Sequence, residues 1–172
     1  MHEPTDSDLP VSAPASHARP AYAVHAALFV ATCASTYWVG GRSFGASSSD
    51  ALTFAATLMA ILLTHEMGHF VVARKHGIRA SLPYFIPIPF ALGTLGAIIR
   101  MDTSIEKRDK LIDVGAAGPL AGLLVAVPLL LVGLSRSPVV ATAIGPNDLV
   151  LVEGNTVLYI ALKWMVTGHY LP

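Results

Sequence analysis

The chain has 172 residues, of which 53% are hydrophobic and only 13% charged, with zero net charge and a mean hydropathy of +0.61. An ordinary soluble domain carries about 25% charged residues, so this balance argues for one domain with several membrane spans and against a soluble enzyme. No basic excess points to nucleic acid, and the single cysteine, Cys33, rules out an internal disulfide and a thiolate zinc cluster, leaving core packing in a helix as its expected role.

Residues 1–20 carry Pro4, Pro10, Pro14 and Pro20 among Ser, Ala and acidic residues, too little apolar surface to fold alone, and a disordered cytoplasmic tail is expected. It does not read as a signal peptide, because Glu3, Asp6 and Asp8 precede any basic residue. Residues 22–39 run without a formal charge and form the first expected span, with Tyr37 and Trp38 as an interfacial aromatic anchor. His25 within it could act as a ligand or proton relay, but a lone histidine near a helix end is more commonly solvated or hydrogen-bonded.

A turn-rich connection follows from Gly40 and Gly41 to Asp50, with Ser49 or Asp50 suited to cap the next helix. Residues 52–72 make about 30 Å of helix, enough to cross a bilayer core. Inside this run stands Thr64-His65-Glu66-Met67-Gly68-His69. Histidines four residues apart share one helix face and can grip a single metal ion. Glu66 then lies beside that metal without being a ligand, placed to take a proton from water and pass it to a leaving amine. An ionisable group in an apolar span costs about 2.5–3.5 kcal/mol near the bilayer centre, so it marks a functional site with a partner to name. A metal held by His65 and His69 is that partner. Arg74, Lys75 and Arg79 cluster at the far end, which the positive-inside rule places in the cytoplasm, and Gly77 is positioned to end the helix in the left-handed conformation.

Residues 82–99 are again uncharged, but Pro83, Pro87, Pro89, Gly93 and Gly96 argue against a regular helix. We expect an extended, hairpin-like re-entrant element packed beside the metal helix, whose open strand edge could pair with an unwound substrate segment; a loop on the membrane surface is the plainer alternative. Residues 100–113 balance four basic against four acidic side chains and are expected to be aqueous. Residues 114–134 form the third span, in which Gly118 and Gly122, like Ala117 and Ala121, repeat at the spacing that lets helices approach closely, and Pro119 and Pro128 can bend the helix. Residues 135–148 read as an outer connection, and residues 156–166 as a short interfacial helix anchored by Tyr159 and Trp164. The fold class is therefore membrane α-helical: about three transmembrane helices, a re-entrant β-hairpin-like segment and a short interfacial helix.

With the HExxH motif in a membrane span, the Pro- and Gly-rich stretch and Gly118-Pro119-Leu120-Ala121-Gly122 in hand, the chain from about Leu52 onward resembles the site-2 protease family of intramembrane zinc metalloproteases. The resemblance implies a membrane-embedded metalloprotease domain over residues 21–172 that cuts transmembrane protein substrates near the cytoplasmic side of a lipid bilayer, expected to be a bacterial inner membrane. His65 and His69 would bind one zinc per chain and Glu66 would be the general base. The family takes its third ligand from a later Asp-Gly motif, and this chain contains none. A metzincin would need glycine at Val72 and histidine at Lys75. We therefore expect a C-terminally truncated member, its third ligand encoded just beyond Pro172, that binds zinc weakly and cleaves poorly. The alternatives are a catalytically inactive membrane protein that binds transmembrane segments, and a transporter using His65, Glu66 and His69 as an ion relay.

Overall fold

The structure is a computed structural model that describes residues 22–43, 45, 47–101, 108–137 and 156–168. The expected tail over residues 1–20, the middle of the charged stretch and most of the 135–148 connection lie outside the described residues. The elements run α1 (Tyr22–Ser43), α2 (Ser48–Lys75), β1 (Tyr84–Pro87), β2 (Thr94–Ile98), α3 (Arg108–Arg136) and α4 (Val157–Thr167). Helices α1, α2 and α3 are each long and apolar enough to cross a membrane.

Helix α1 tolerates two fully buried threonines because their hydroxyls are satisfied locally, Thr32 donating to the Leu28 carbonyl at 2.8 Å and Thr36 to the Thr32 carbonyl at 2.9 Å. The helix does not stop at Gly40 and Gly41, as the sequence suggested, but continues to Ser43. Glycine serves there as a contact surface rather than a turn: a Cβ on Gly40 would come within 3.0 Å of Phe54 Cδ1 and 3.2 Å of Ala51 Cα. Helix α2 likewise starts before Leu52. Its cap is Ser47, whose hydroxyl accepts from the Asp50 amide at 3.3 Å, instead of Ser49 or Asp50. At the other end Gly77, at φ +73°, donates to the Arg74 carbonyl at 3.1 Å while Ile78 donates to the Ala73 carbonyl at 2.9 Å, the paired bonds of a Schellman motif.

Residues 82–99 do form a hairpin. β1 and β2 pair antiparallel with Tyr84 opposite Ile98 and Pro87 opposite Thr94, and a bulge breaks the register between Phe85 and Pro87. Gly96, at φ +99°, accommodates the bulge, and its amide donates to Thr94 Oγ1 at 3.0 Å. The hairpin is fastened mainly to α1 rather than to the helix carrying the histidines. His25 Nδ1–H donates to the Pro83 carbonyl at 3.1 Å, the Phe29 and Phe85 rings meet edge to face at 5.1 Å, and Ser35 Oγ donates to the Ile88 carbonyl at 2.6 Å. His25 is thus a buried, hydrogen-bonded fastener. At the tip Phe90, Leu92 and Leu95 stay exposed.

Helix α3 begins at Arg108, so Asp109, Lys110 and Asp113 belong to its first turns and not to a loop, and Lys110 and Asp113 find a partner in His76, the residue that caps α2. It carries Pro119 and Pro128 inside, and these lack the amides that would bond the Gly115 and Leu124 carbonyls. Its outer face is apolar, with Leu120, Leu123 and Leu124 exposed. Helix α4 is capped by Thr156 and by left-handed Gly168 and packs on α3.

Candidate metal centre

The HExxH motif sits in the last third of α2, within uninterrupted helix. Helical spacing brings the two histidines to one face, their Nε2 atoms 3.2 Å apart and their rings at 74°. His69 Nδ1–H donates to the Val114 carbonyl at 2.7 Å, since a carbonyl can only accept. That bond places the ring proton on Nδ1 and leaves the Nε2 lone pair turned toward His65. Two imidazole nitrogens on one tetrahedral zinc, each at about 2.0–2.1 Å, stand roughly 3.3–3.4 Å apart. The observed spacing matches that requirement, and the donor set is one zinc accepts.

The wall opposite the histidines is α3, whose small residues make room for them. A Cβ on Gly118 would overlap the His69 ring, and one on Gly122 would touch His65 Cβ and Nδ1 at 3.4 Å. From the other side, a Cβ on Gly68 would press to 2.8 Å on Ala121 Cβ and onto the Ala117 carbonyl. The spacing that sequence reasoning assigned to helix packing therefore also shapes the chamber for the imidazoles.

Glu66, roughly 100° further round α2 than His65, falls on the stripe of Ala55, Met59 and Ala73 and is only 7% exposed. On the face turned away from the histidines Leu63 and Met67 join Phe29, Pro83 and Phe85 along an open apolar groove of about 230 Å³ between α1, α2 and the hairpin. Of the three residues singled out from sequence, the structure converges His65 and His69 and sets Glu66 on the adjoining buried face of the same turn. Among the described residues no group of three His, Cys, Asp or Glu comes together. The residue missed was Val114. A backbone carbonyl carries no side-chain signature, and the available clue was its place one turn before Gly118.

Residues 53–171 match the model of peptidase family M50. Among curated proteins, the chain is 40% identical over 89 residues to "Probable zinc metalloprotease EGY2, chloroplastic" of Arabidopsis thaliana, covering 52% of this chain and 16% of that protein. It is 40% identical over 102 residues to "Probable zinc metalloprotease EGY1, chloroplastic" of the same plant, covering 59% and 18%. The EGY1 protein of Oryza sativa subsp. japonica is 39% identical over 101 residues, covering 59% and 17%. The chain thus spans less than a fifth of the length of these relatives. Their names place them in chloroplasts and lend no support to a bacterial inner membrane. No solved structure matches.

Proposed function

The chain belongs to peptidase family M50, and from that premise we propose that it forms the zinc-binding part of an intramembrane metalloendopeptidase whose substrates are transmembrane proteins. The observation that carries the reading is the convergence of His65 and His69 at 3.2 Å with His69 held by Val114. The lipid setting rests on three helices of spanning length with apolar outer faces, and on the exposed apolar tip of the hairpin, which suits lipid or protein cover better than water. In this setting α1 runs outward, α2 returns to the cytoplasmic side and α3 runs outward again, with the histidines toward the cytoplasmic end of α2.

His65 and His69 would hold zinc through Nε2, with a third protein ligand from outside the described residues and an open position for water. When bound, the ion supplies Lewis-acid polarisation of the water and of the scissile carbonyl. Val114 keeps His69 in the tautomer that presents a lone pair. Glu66 takes the proton from the attacking water and delivers it to the leaving amine, a single carboxylate acting first as base and then as acid.

The test is zinc content together with cleavage of a transmembrane reporter in lipid vesicles, for the parent chain and for Glu66→Gln. Zinc retained by both, with cleavage lost only in the variant, supports the reading. A parent chain that binds reporter segments but neither holds zinc nor cleaves would favour the non-catalytic alternative.

A further inference from the structure

The first turns of α3 meet α2 at three successive levels. Lys110 Nζ donates to the His76 carbonyl at 3.2 Å, and Asp113 Oδ2 accepts from His76 Nε2–H at 3.0 Å. One residue further along, the Val114 carbonyl accepts from His69 at 2.7 Å. One turn beyond that, Gly118 lies under the His69 ring. Lys110, Val114 and Gly118 recur every fourth residue, so they share the α3 face turned to α2, with Asp113 beside them. His69 and His76, two turns apart, share the matching face of α2.

From Gly118 onward the contact is made by small residues, Gly118, Gly122, Ala117 and Ala121 against Gly68 and the two rings. Small residues let backbones close up but interlock little along the helix axis. The bond to His69 is sensitive to that axis. A slide of about 1.5 Å, one residue's rise, takes it out of line, and hydrogen bonds weaken steeply as they bend. The polar clamp on His76, the residue that caps α2, holds that end through both a side chain and a backbone carbonyl and so opposes such a slide.

We infer that Lys110 and Asp113, acting through His76, are positioning residues for His69: they set the register at which the Val114 carbonyl meets Nδ1–H and keep Nε2 aimed at the metal. This rests on the reading of His65 and His69 as a metal pair. An exposed polar contact adds little to overall stability even where both partners are charged, so removing the clamp leaves a folded chain in which the aim of the ligand is what changes.

The experiment uses the full chain in lipid nanodiscs with ¹⁵N-labelled histidine. In the metal-free parent, His69 is expected as the Nδ1–H tautomer with a downfield, hydrogen-bonded proton. The Lys110→Met/Asp113→Asn double variant should show mixed tautomers and bind cobalt(II) about tenfold more weakly, the low end of the range for loss of an outer-shell partner. His76→Lys, which keeps a hydrogen-bond donor for Asp113, should retain the parental tautomer. An unchanged His69 signal and unchanged cobalt affinity in the double variant would overturn the inference, as would an Nε2–H tautomer in the parent. A tautomer response in a parent that binds no cobalt would instead overturn the metal reading, and with it the assignment of these residues to a metal centre.

Discussion

Gly118 lies directly beneath the His69 ring, so that hydrogen is the largest substituent the α3 backbone can carry there without displacing the imidazole. Gly118→Ala should push the ring off the Val114 carbonyl or push α3 away from α2. Overpacking of this kind costs about 1–3 kcal/mol. The expected outcome is a lower denaturation midpoint together with weaker zinc binding. Gly133→Ala, at an open position of the same helix, is the control and should leave zinc binding unchanged and the midpoint no lower, since alanine favours helix over glycine by about 1 kcal/mol.

Glu66 and His65 should fail in different ways. In a chain completed by its third ligand, Glu66→Gln keeps the shape of the buried side chain and both imidazoles, so zinc content should hold while turnover falls by roughly 10²–10⁴-fold, the usual contribution of a general base. His65→Ala removes a ligand, and zinc itself should be lost. Metal analysis alongside a cleavage assay separates the two, and full cleavage by Glu66→Gln would remove the carboxylate from the mechanism.

The proposed separation of these roles comes from the sequence, because HExxH is written in side chains at a fixed helical spacing. The three apolar runs were legible for a similar reason, since spanning length and lack of charge are one-dimensional properties. Helix ends were not. Gly40 and Gly41 look like a turn until Phe54 and Ala51 are seen packed against them, and charged Asp109 to Asp113 looks like a loop until His76 appears across the gap. The hairpin's existence followed from its prolines and glycines, but its attachment to α1 depended on contacts between residues more than fifty positions apart, such as His25 with Pro83. No local pattern encodes these.

That attachment gives the next expectation. Gly93, at φ +86°, closes the hairpin tip against the α1 backbone, where a Cβ would collide with Thr36 Cα. Gly93→Ala combines left-handed backbone strain with that collision. It should free the tip while leaving α2 and α3 in place. Hydrogen exchange should then rise in residues 84–98 and stay unchanged around Gly68 and Gly118. Uniform loss of protection would show instead that the hairpin is integral to the whole fold.

The orientation in the bilayer follows from where the basic residues fall once the helices are placed. The α2 and α3 backbones run antiparallel, shown by the sequence of contacts from His65 with Gly122, through His69 with Gly118, to His76 with Asp113. Arg74, Lys75, Arg79, Arg108 and Lys110 therefore gather at one end, whereas Arg42 and Arg136 mark the opposite ends of α1 and α3. Basic side chains near span ends set orientation and acidic ones count for little, so Asp109 and Asp113 do not cancel the bias. The Arg74 end should face the cytoplasm, and Ser47 and Ser137 the other side. With Cys33 replaced by serine, single cysteines at Ser47, Ser137 and Asp109 can be labelled by a membrane-impermeant maleimide in sealed right-side-out vesicles. Ser47→Cys and Ser137→Cys should react before lysis, and Asp109→Cys only after it. The reverse pattern would invert the topology and move the histidine pair toward the outer face; labelling of all three before lysis would mean that the helices do not span the membrane at all.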